Sequence, residues 1–482
     1  MESVDDLELT AAERAVEGAF ARGEWVDLAG AQVRAEVLAS LLLHGVAALE
    51  GAPRHDGAVP GVRVRGAVVT DVLDLSFADV SVPLRLAGCE FAAAPEFTGT
   101  STRTLELTDC TLPGFQGRLM SVRGDLRLSG SVVNGLLSLE NAEITGVLSL
   151  SGAHLLNAGA RALSGGGLVV GGGVIGRRGL VVQGEARFIG ARVDGGVLLE
   201  GARFVNPDGV ALCLDDLVTN RLMCNAGFST DGELKLRTAR VSGEVSFWSA
   251  RLRAPDRAVR ARGLSAGELT LTPESVQGLV DLTRVQVGAL RDSPASWPAR
   301  LRLDGFSYDH LLPVGAPIEV RARCRWLTRD AESYRPHPYE QLAAYYRRLG
   351  HDDDARRVLL AKERRRRGTL RWPARLGGYL LDGLVGYGYR PWLAGVWLTL
   401  LVAVGTAVFS ANPPTPLGDS HHPHFTALIY TMDLLIPIGA FGLRGAYDPV
   451  GPTQWVADAL IAAGWILATA LVAGVSRSIG RD

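Results

Sequence analysis

An eleven-residue pattern, Gly-x-apolar-x-apolar-x-x-small-x-apolar-x, begins at Gly124, Gly135 and Gly146 and returns at Gly195, Gly232, Gly243, Gly267 and Gly278. Copies such as GDLRLSGSVVN, GVLSLSGAHLL and GEVSFWSARLR put apolar residues at every second position of a short run and then a small residue. That reads as a strand closed by a tight turn. A strand this short cannot cover its own apolar face, so successive copies must stack and share one interior. The pattern predicts a mainly β fold, a parallel β-helix (β-solenoid) whose coils of 21 to 22 residues each hold two units. About eleven coils at ~4.8 Å each would make a rod of about 50 Å.

The repeat occupies residues 61–310, from VLDLSFADV to ARLRLDGFSYD. Residues 1–60 precede it, with helical spacing at Ala12, Ala15, Val16, Ala19 and Phe20 and again at Val33, Val37, Leu38, Leu41 and Leu42, and are expected to form a helical N-terminal cap over the first coil. Insertions at 155–165 and 207–227 break the register and are expected to protrude on one side. Residues 311–370 read as a linker and an αα-hairpin around Gly350, in which Leu342, Tyr345 and Tyr346 face Ala355, Val358, Leu359 and Ala361.

Residues 371–482 change character. Trp392 to Ser410 and Trp455 to Ser476 are long and apolar enough to be C-terminal transmembrane helices, spans of about 392–410 and 455–476. Arginines precede the first (Arg371, Arg375, Arg390) and follow the second (Arg477, Arg481), while 411–454 holds only Arg444. The positive-inside rule then places both termini and the solenoid in the cytoplasm, on a multi-pass protein of the cytoplasmic membrane. MESVDDLEL has neither a basic nor an apolar leader region, so no cleavable signal is expected. The run Lys362, Arg364, Arg365, Arg366 and Arg367 is expected to meet anionic head groups, making membrane lipids one partner. Asp433 and Asp458 are the polar residues expected at membrane depth, Asp433 facing water, a span or a partner such as Arg444. Asp433 lies in the apolar segment 425–441, which Pro437 and Gly439 interrupt and which reads as re-entrant or surface-lying.

The net charge of −1 and the even spread of both signs give no footprint for nucleic acid. An acidic start (Glu2, Asp5, Asp6, Glu8) contrasts with the basic run before the first span. Lys235 and Lys362 are the only lysines, which excludes a Gly-Lys-Ser/Thr phosphate loop. The five cysteines show no metal spacing; Cys89 and Cys110, 21 residues apart in the slot that Ala142 and Ala153 take in later units, are expected to stack as small buried thiols.

Three further strings carry chemistry in other proteins. VVGGGVIG matches a dinucleotide fingerprint through Gly171, Gly173 and Gly176, but RRGLVVQGEARF follows it as strand and turn where a helix is required. VGYGY at 385–389 spells part of a potassium filter, yet precedes the first span and is expected to supply interface aromatics. His421, His422 and His424 have no carboxylate or thiol at ligand spacing, so no metal is expected.

The strings LLLHG, LRLDGFSYDHL, RPHPYEQLAAYYRRLGHDDDARRVLLAKERRRR, GYGYRPWLA, ALIYTMDLLIPIGAFGL and GWILATALVAGVSRSIGRD resemble a family of bacterial inner-membrane proteins with a pentapeptide-like repeat solenoid and a C-terminal transmembrane hairpin. Some of its members bear the label membrane-associated oxidoreductase. The resemblance implies architecture and no catalytic residues. The expected function is a membrane-anchored cytoplasmic scaffold with a protein partner on the solenoid and no cofactor. The alternatives are an oxidoreductase using FAD or NAD at Gly171, Gly173 and Gly176, and a two-span pore-like protein.

Overall fold

A computed structural model describes residues 8–48, 59–332, 334–390, 392–417, 424–436, 438 and 441–479. The chain divides into two compact units, Met1–Glu332 and Ser333–Asp482. The expectations for Glu2, Asp5, Asp6, His421, His422, Pro437, Gly439 and Arg481 fall outside the described residues.

The first unit is a parallel β-solenoid of about 11 turns. Its spine is one uninterrupted ladder of inward side chains, Val62, Leu84, Leu105, Leu126, Leu148, Val174, Val197, Leu222, Val245, Leu269, Leu290 and Leu311, each in register with the next. All are buried. Each such side chain contributes about 1.5–3 kcal/mol by leaving water.

The eleven-residue unit holds two short strands, not one. In GDLRLSGSVVN they are Leu126–Arg127 and Val132–Val133, bent about Gly130 at φ 70°. Two units thus give a four-sided coil. At a second corner of each coil a left-handed residue stacks on the one below: Phe77, Gly99, Leu119, Asn141, Gly167, Gly190, Asp216, Thr238, Gly263, Arg284 and Gly305. Non-glycines there carry about 1–3 kcal/mol of strain each, which the ladder bonds above and below over-determine.

Three strands are longer than the rest, His154–Ser164, Arg203–Cys213 and Arg251–Arg260. Each breaks register with its neighbour, at Leu156/Arg161, Val205/Val210 and Arg253/Arg257, and throws a short bulge outward. Asn157 Nδ2 donates to Arg161 O at 2.8 Å and Asn206 Nδ2 to Val210 O at 2.9 Å, closing the first two bulges in the same way. The coil after each bulge answers with a glycine, Gly184, Gly232 or Gly278, at φ 115°, 127° and 118°, whose missing Cβ leaves room for the bulge carbonyls. The insertions do protrude on one side, but as bulges within continuous strands. Residues 211–227 are regular coil, and the third bulge, at Ala254–Arg257, has no counterpart in the expectation.

Helices α1 (Ala11–Phe20) and α2 (Ala35–Ala48) lie at the N-terminal end of the chain, where Val16, Phe20, Val37, Leu38, Leu41 and Leu42 are buried. Glu13 is sealed there at 1 % exposure and takes Arg34 Nε and Nη2 at 2.9 and 2.8 Å, while Thr10 and Glu13 complete a capping box. At the C-terminal end α3 (Val320–Leu327) carries Arg323 and Trp326, both buried, onto Asp292 and Trp297 of the last coils. By sequence alone that segment reads as part of a linker.

In the second unit α4 (His337–Arg348) and α5 (Asp352–Arg367) form a hairpin that buries Tyr339, Leu342, Ala343 and Tyr346 with Ala355, Val358, Leu359 and Leu360. Then come α6 (Trp372–Val385), α7 (Trp392–Ala411), α8 (Ala427–Leu435) and α9 (Pro452–Ile479). Among the described residues α7 alone is long and apolar enough to cross a membrane, with mean hydropathy 2.0 and most of its length uncovered by protein.

Candidate functional sites

The second unit gathers its charge at two places. On α5, Lys362 is turned inward at 4 % side-chain exposure, paired with Glu340 at 3.3 Å and Glu363 at 3.9 Å. Arg364 and Arg367 both reach Asp382 of α6, at 2.9 and 3.0 Å, and Arg367 lies 3.9 Å above the Tyr379 ring. Burial lifts the Asp382 carboxyl, but the two guanidiniums hold it below the usual carboxylate range. Arg366 pairs with Glu363 at 3.5 Å, and Arg365 is exposed. Most of the basic run is therefore neutralised within the unit. The other place is a hollow of about 470 Å³ where one face of α5 (Asp353, Arg356, Arg357, Leu360) meets Tyr389, Arg390 and Trp392 at the start of α7.

VGYGY forms the turn between α6 and α7. Gly386 ends α6 in a left-handed conformation, and Tyr387, also at positive φ, is buried with its hydroxyl 3.5 Å from Arg367 Nη1. α8 is wedged between α7 and α9. A Cβ at Gly405 of α7 would strike the Thr431 side chain, and one at Gly464 of α9 would strike the Leu435 carbonyl. Around these contacts Phe409, Tyr430, Leu434, Leu435, Leu443 and Tyr447 form a core. Asp433 is fully buried and accepts the backbone N–H of Phe441 at 2.9 Å and of Arg444 at 2.8 Å. Arg444 thus partners it through its main chain, with the carboxylate pinning the return loop. Asp458, in the second turn of α9, is exposed.

On the solenoid, Gly171–Gly176 belong to a coil corner and the strand Gly173–Ile175, and the next element is the strand Val181–Arg187. No helix follows Gly176, so the turn lacks the N-terminal amides that receive a pyrophosphate. The glycines serve close stacking: a Cβ at Gly172 would lie 2.5 Å from Gly146 O, and one at Gly195 would strike Gly172 O. Cys89 and Cys110 stack on adjacent coils, both buried and both free, in one column with Ser131 and Ala153; Ala142 belongs to another corner. The neighbouring Cys89 thiol and the burial push the Cys110 thiol up. His424 is exposed, and among the described residues no cluster of three His, Cys, Asp or Glu side chains forms.

Two features mark the solenoid surface. One is the bulge ridge, exposing Ala158–Ala160, Pro207–Gly209 and Pro255–Asp256 at intervals of two coils, about 9–10 Å. The other is a shallow groove of about 570 Å³ running across successive coils past Asp194, Asn220, Arg240, Ser242 and Gln286. The chain matches no family model, no curated protein and no solved structure.

Proposed function

We propose that this chain is a membrane-anchored scaffold, with α7 as one span, α9 as a second on the strength of the apolar sequence run Trp455 to Ser476, and the solenoid as a rigid, cytoplasmic binding surface for a protein partner. The observation that carries the reading is the pairing of an uncovered apolar α7 with a rod whose interior is filled by its own ladder of leucines and valines. An uncovered helix of that hydropathy is stable in lipid and costly in water. A filled rod offers outer faces and no deep cleft, and function then resides in side-chain patterns on those faces.

The test uses photo-crosslinking residues placed at Asp208 and Asp256 on the ridge of the full chain in membranes, with Arg365 outside it as the control. The scaffold reading expects a discrete adduct from the ridge alone, in a protein that resists alkaline extraction. Extraction by alkali, or no ridge-specific adduct, refutes it.

The pore-like reading has one observation in its favour, the wedging of α8 between α7 and α9 with a buried carboxylate holding the loop that follows. Ion flux through liposomes holding the chain, altered by Asp433→Asn, would support it. The oxidoreductase reading gains no support from Gly171, Gly173 and Gly176, which are occupied in stacking coils.

A further inference from the structure

We propose that the hollow between α5 and the start of α7 seats the phosphate of an anionic phospholipid, with Arg356, Arg357 and Arg390 as its cationic walls. This deepens the membrane-anchored reading, since it takes α7 to enter the bilayer at Trp392.

The charge balance of the unit points here and away from the basic run that sequence alone selects. Lys362 is itself sealed at 4 % exposure beside Glu340 and Glu363, Arg364 and Arg367 share Asp382, and exchanging that carboxylate for a lipid would strand it at 15 % exposure. Around the hollow the situation is reversed. Arg356 meets Asp353 at 3.3 Å with 61 % and 84 % of the two side chains exposed, and Arg357 meets Asp354 at 2.8 Å with 63 % and 24 % exposed. Both are i,i+3 pairs at a solvated surface, which hold weakly and exchange readily for a better anion. Arg390 is exposed and has no ion pair among the described residues.

The shape fits the same occupant. A volume of about 470 Å³ falls within the ~300–1,000 Å³ of ordinary ligand sites. Guanidinium groups from two elements converge on it, and arginine forks match phosphate oxygens two at a time. The first turn of α7 opens on the hollow and adds the positive end of a helix dipole. The largely exposed Trp392 supplies an apolar edge where α7 begins, which a diacylglycerol moiety can continue along and a free phosphate cannot use. Asp353 is the one carboxylate in the lining, and it opposes an anion. Its removal therefore has a predicted sign.

The experiment reconstitutes the full chain in phosphatidylcholine nanodiscs containing a minority of phosphatidylglycerol and measures retained phosphatidylglycerol by native mass spectrometry. Arg356→Gln with Arg390→Gln is expected to lower retention about ten- to thirty-fold. Asp353→Asn is expected to raise it, and Arg347→Gln, an exposed residue of α4 outside the hollow, to leave it unchanged. Because Asp353 is exposed, its variant keeps the proposal testable where the double variant folds poorly. Retention unmoved by the double variant, or lowered by Asp353→Asn, overturns the proposal. So does saturable uptake of inorganic phosphate at the same arginines without lipid retention, which assigns the hollow to a soluble anion. Alkaline extraction of the wild-type protein would refute the membrane reading separately.

Discussion

Arg323 is the strongest single lever on the solenoid's C-terminal end. Its Nη1 and Nη2 donate to Asp292 Oδ2 and Oδ1 at 2.5 and 2.8 Å, and Trp297 Nε1 donates to the same carboxylate at 2.7 Å. Both charged side chains are almost fully sealed, at 2 % and 1 % exposure. The guanidinium lies 5.5 and 5.8 Å from the Trp297 and Trp326 rings, so no water replaces a lost partner easily. Arg323→Met leaves a buried carboxylate with one indole donor, and such an orphan costs about 3–5 kcal/mol. Replacing both charges, Asp292→Leu with Arg323→Met, removes the orphan and leaves only an unpaired indole, about 1–3 kcal/mol. Hydrogen exchange on peptides covering 286–313 and 320–331 reads the local opening energy. The single variant is expected to speed exchange there by about a hundred- to several-thousand-fold, and the double variant by clearly less. A single variant costing less than about 1 kcal/mol, or a double variant worse than the single, would refute the account of this end as a charge-locked cap.

At the N-terminal end the lock titrates. Hydrogen bonding by Arg34 draws the Glu13 carboxyl from its ordinary 4.5 down to about 2, against the opposing effect of burial. A depressed folded-state pKa means the contribution is complete above about pH 5 and lost as pH falls toward 2. We expect about 2 kcal/mol to disappear over that window after discounting for the partial exposure of Arg34, and Glu13→Gln to flatten the acid limb of a denaturation profile. In the second unit, Asp433→Ala should free the N–H groups of Phe441 and Arg444 and raise their exchange by at least about ten-fold, with amides in α4 unaffected. Unchanged exchange at both positions would show that another group holds the loop.

The solenoid was readable because two signals coincide along it. Period-two apolar residues mark the inward ladder, and glycines mark corners where a Cβ would strike the carbonyl of the coil below, as at Gly195 over Gly172. The left-handed corners were less readable, because Phe77, Leu119 and Arg284 take that conformation as well as the glycines do. Nothing in a bulky side chain advertises positive φ; the turn is imposed by ladder bonds on both sides. α3 was missed because RARCRWL looks polar by composition, while the structure buries Arg323 through a partner 31 residues away. The pairing of the basic run of α5 was hidden for a related reason. Charge is visible in sequence, but the carboxylates that neutralise it, Glu340 and Asp382, sit on neighbouring helices. The hollow at Arg356, Arg357 and Arg390 joins residues more than thirty positions apart, and only folding brings them together.

The alternation of outward bulge and answering glycine sets a unit of growth for this rod. Strands at 154, 203 and 251 bulge, those at 181, 229 and 275 accommodate, and neither kind stacks on its own kind along that face. Deleting one turn there would set bulge against bulge, whereas deleting two restores the match. Length in this stretch is therefore adjustable only in paired turns, steps of about 10 Å.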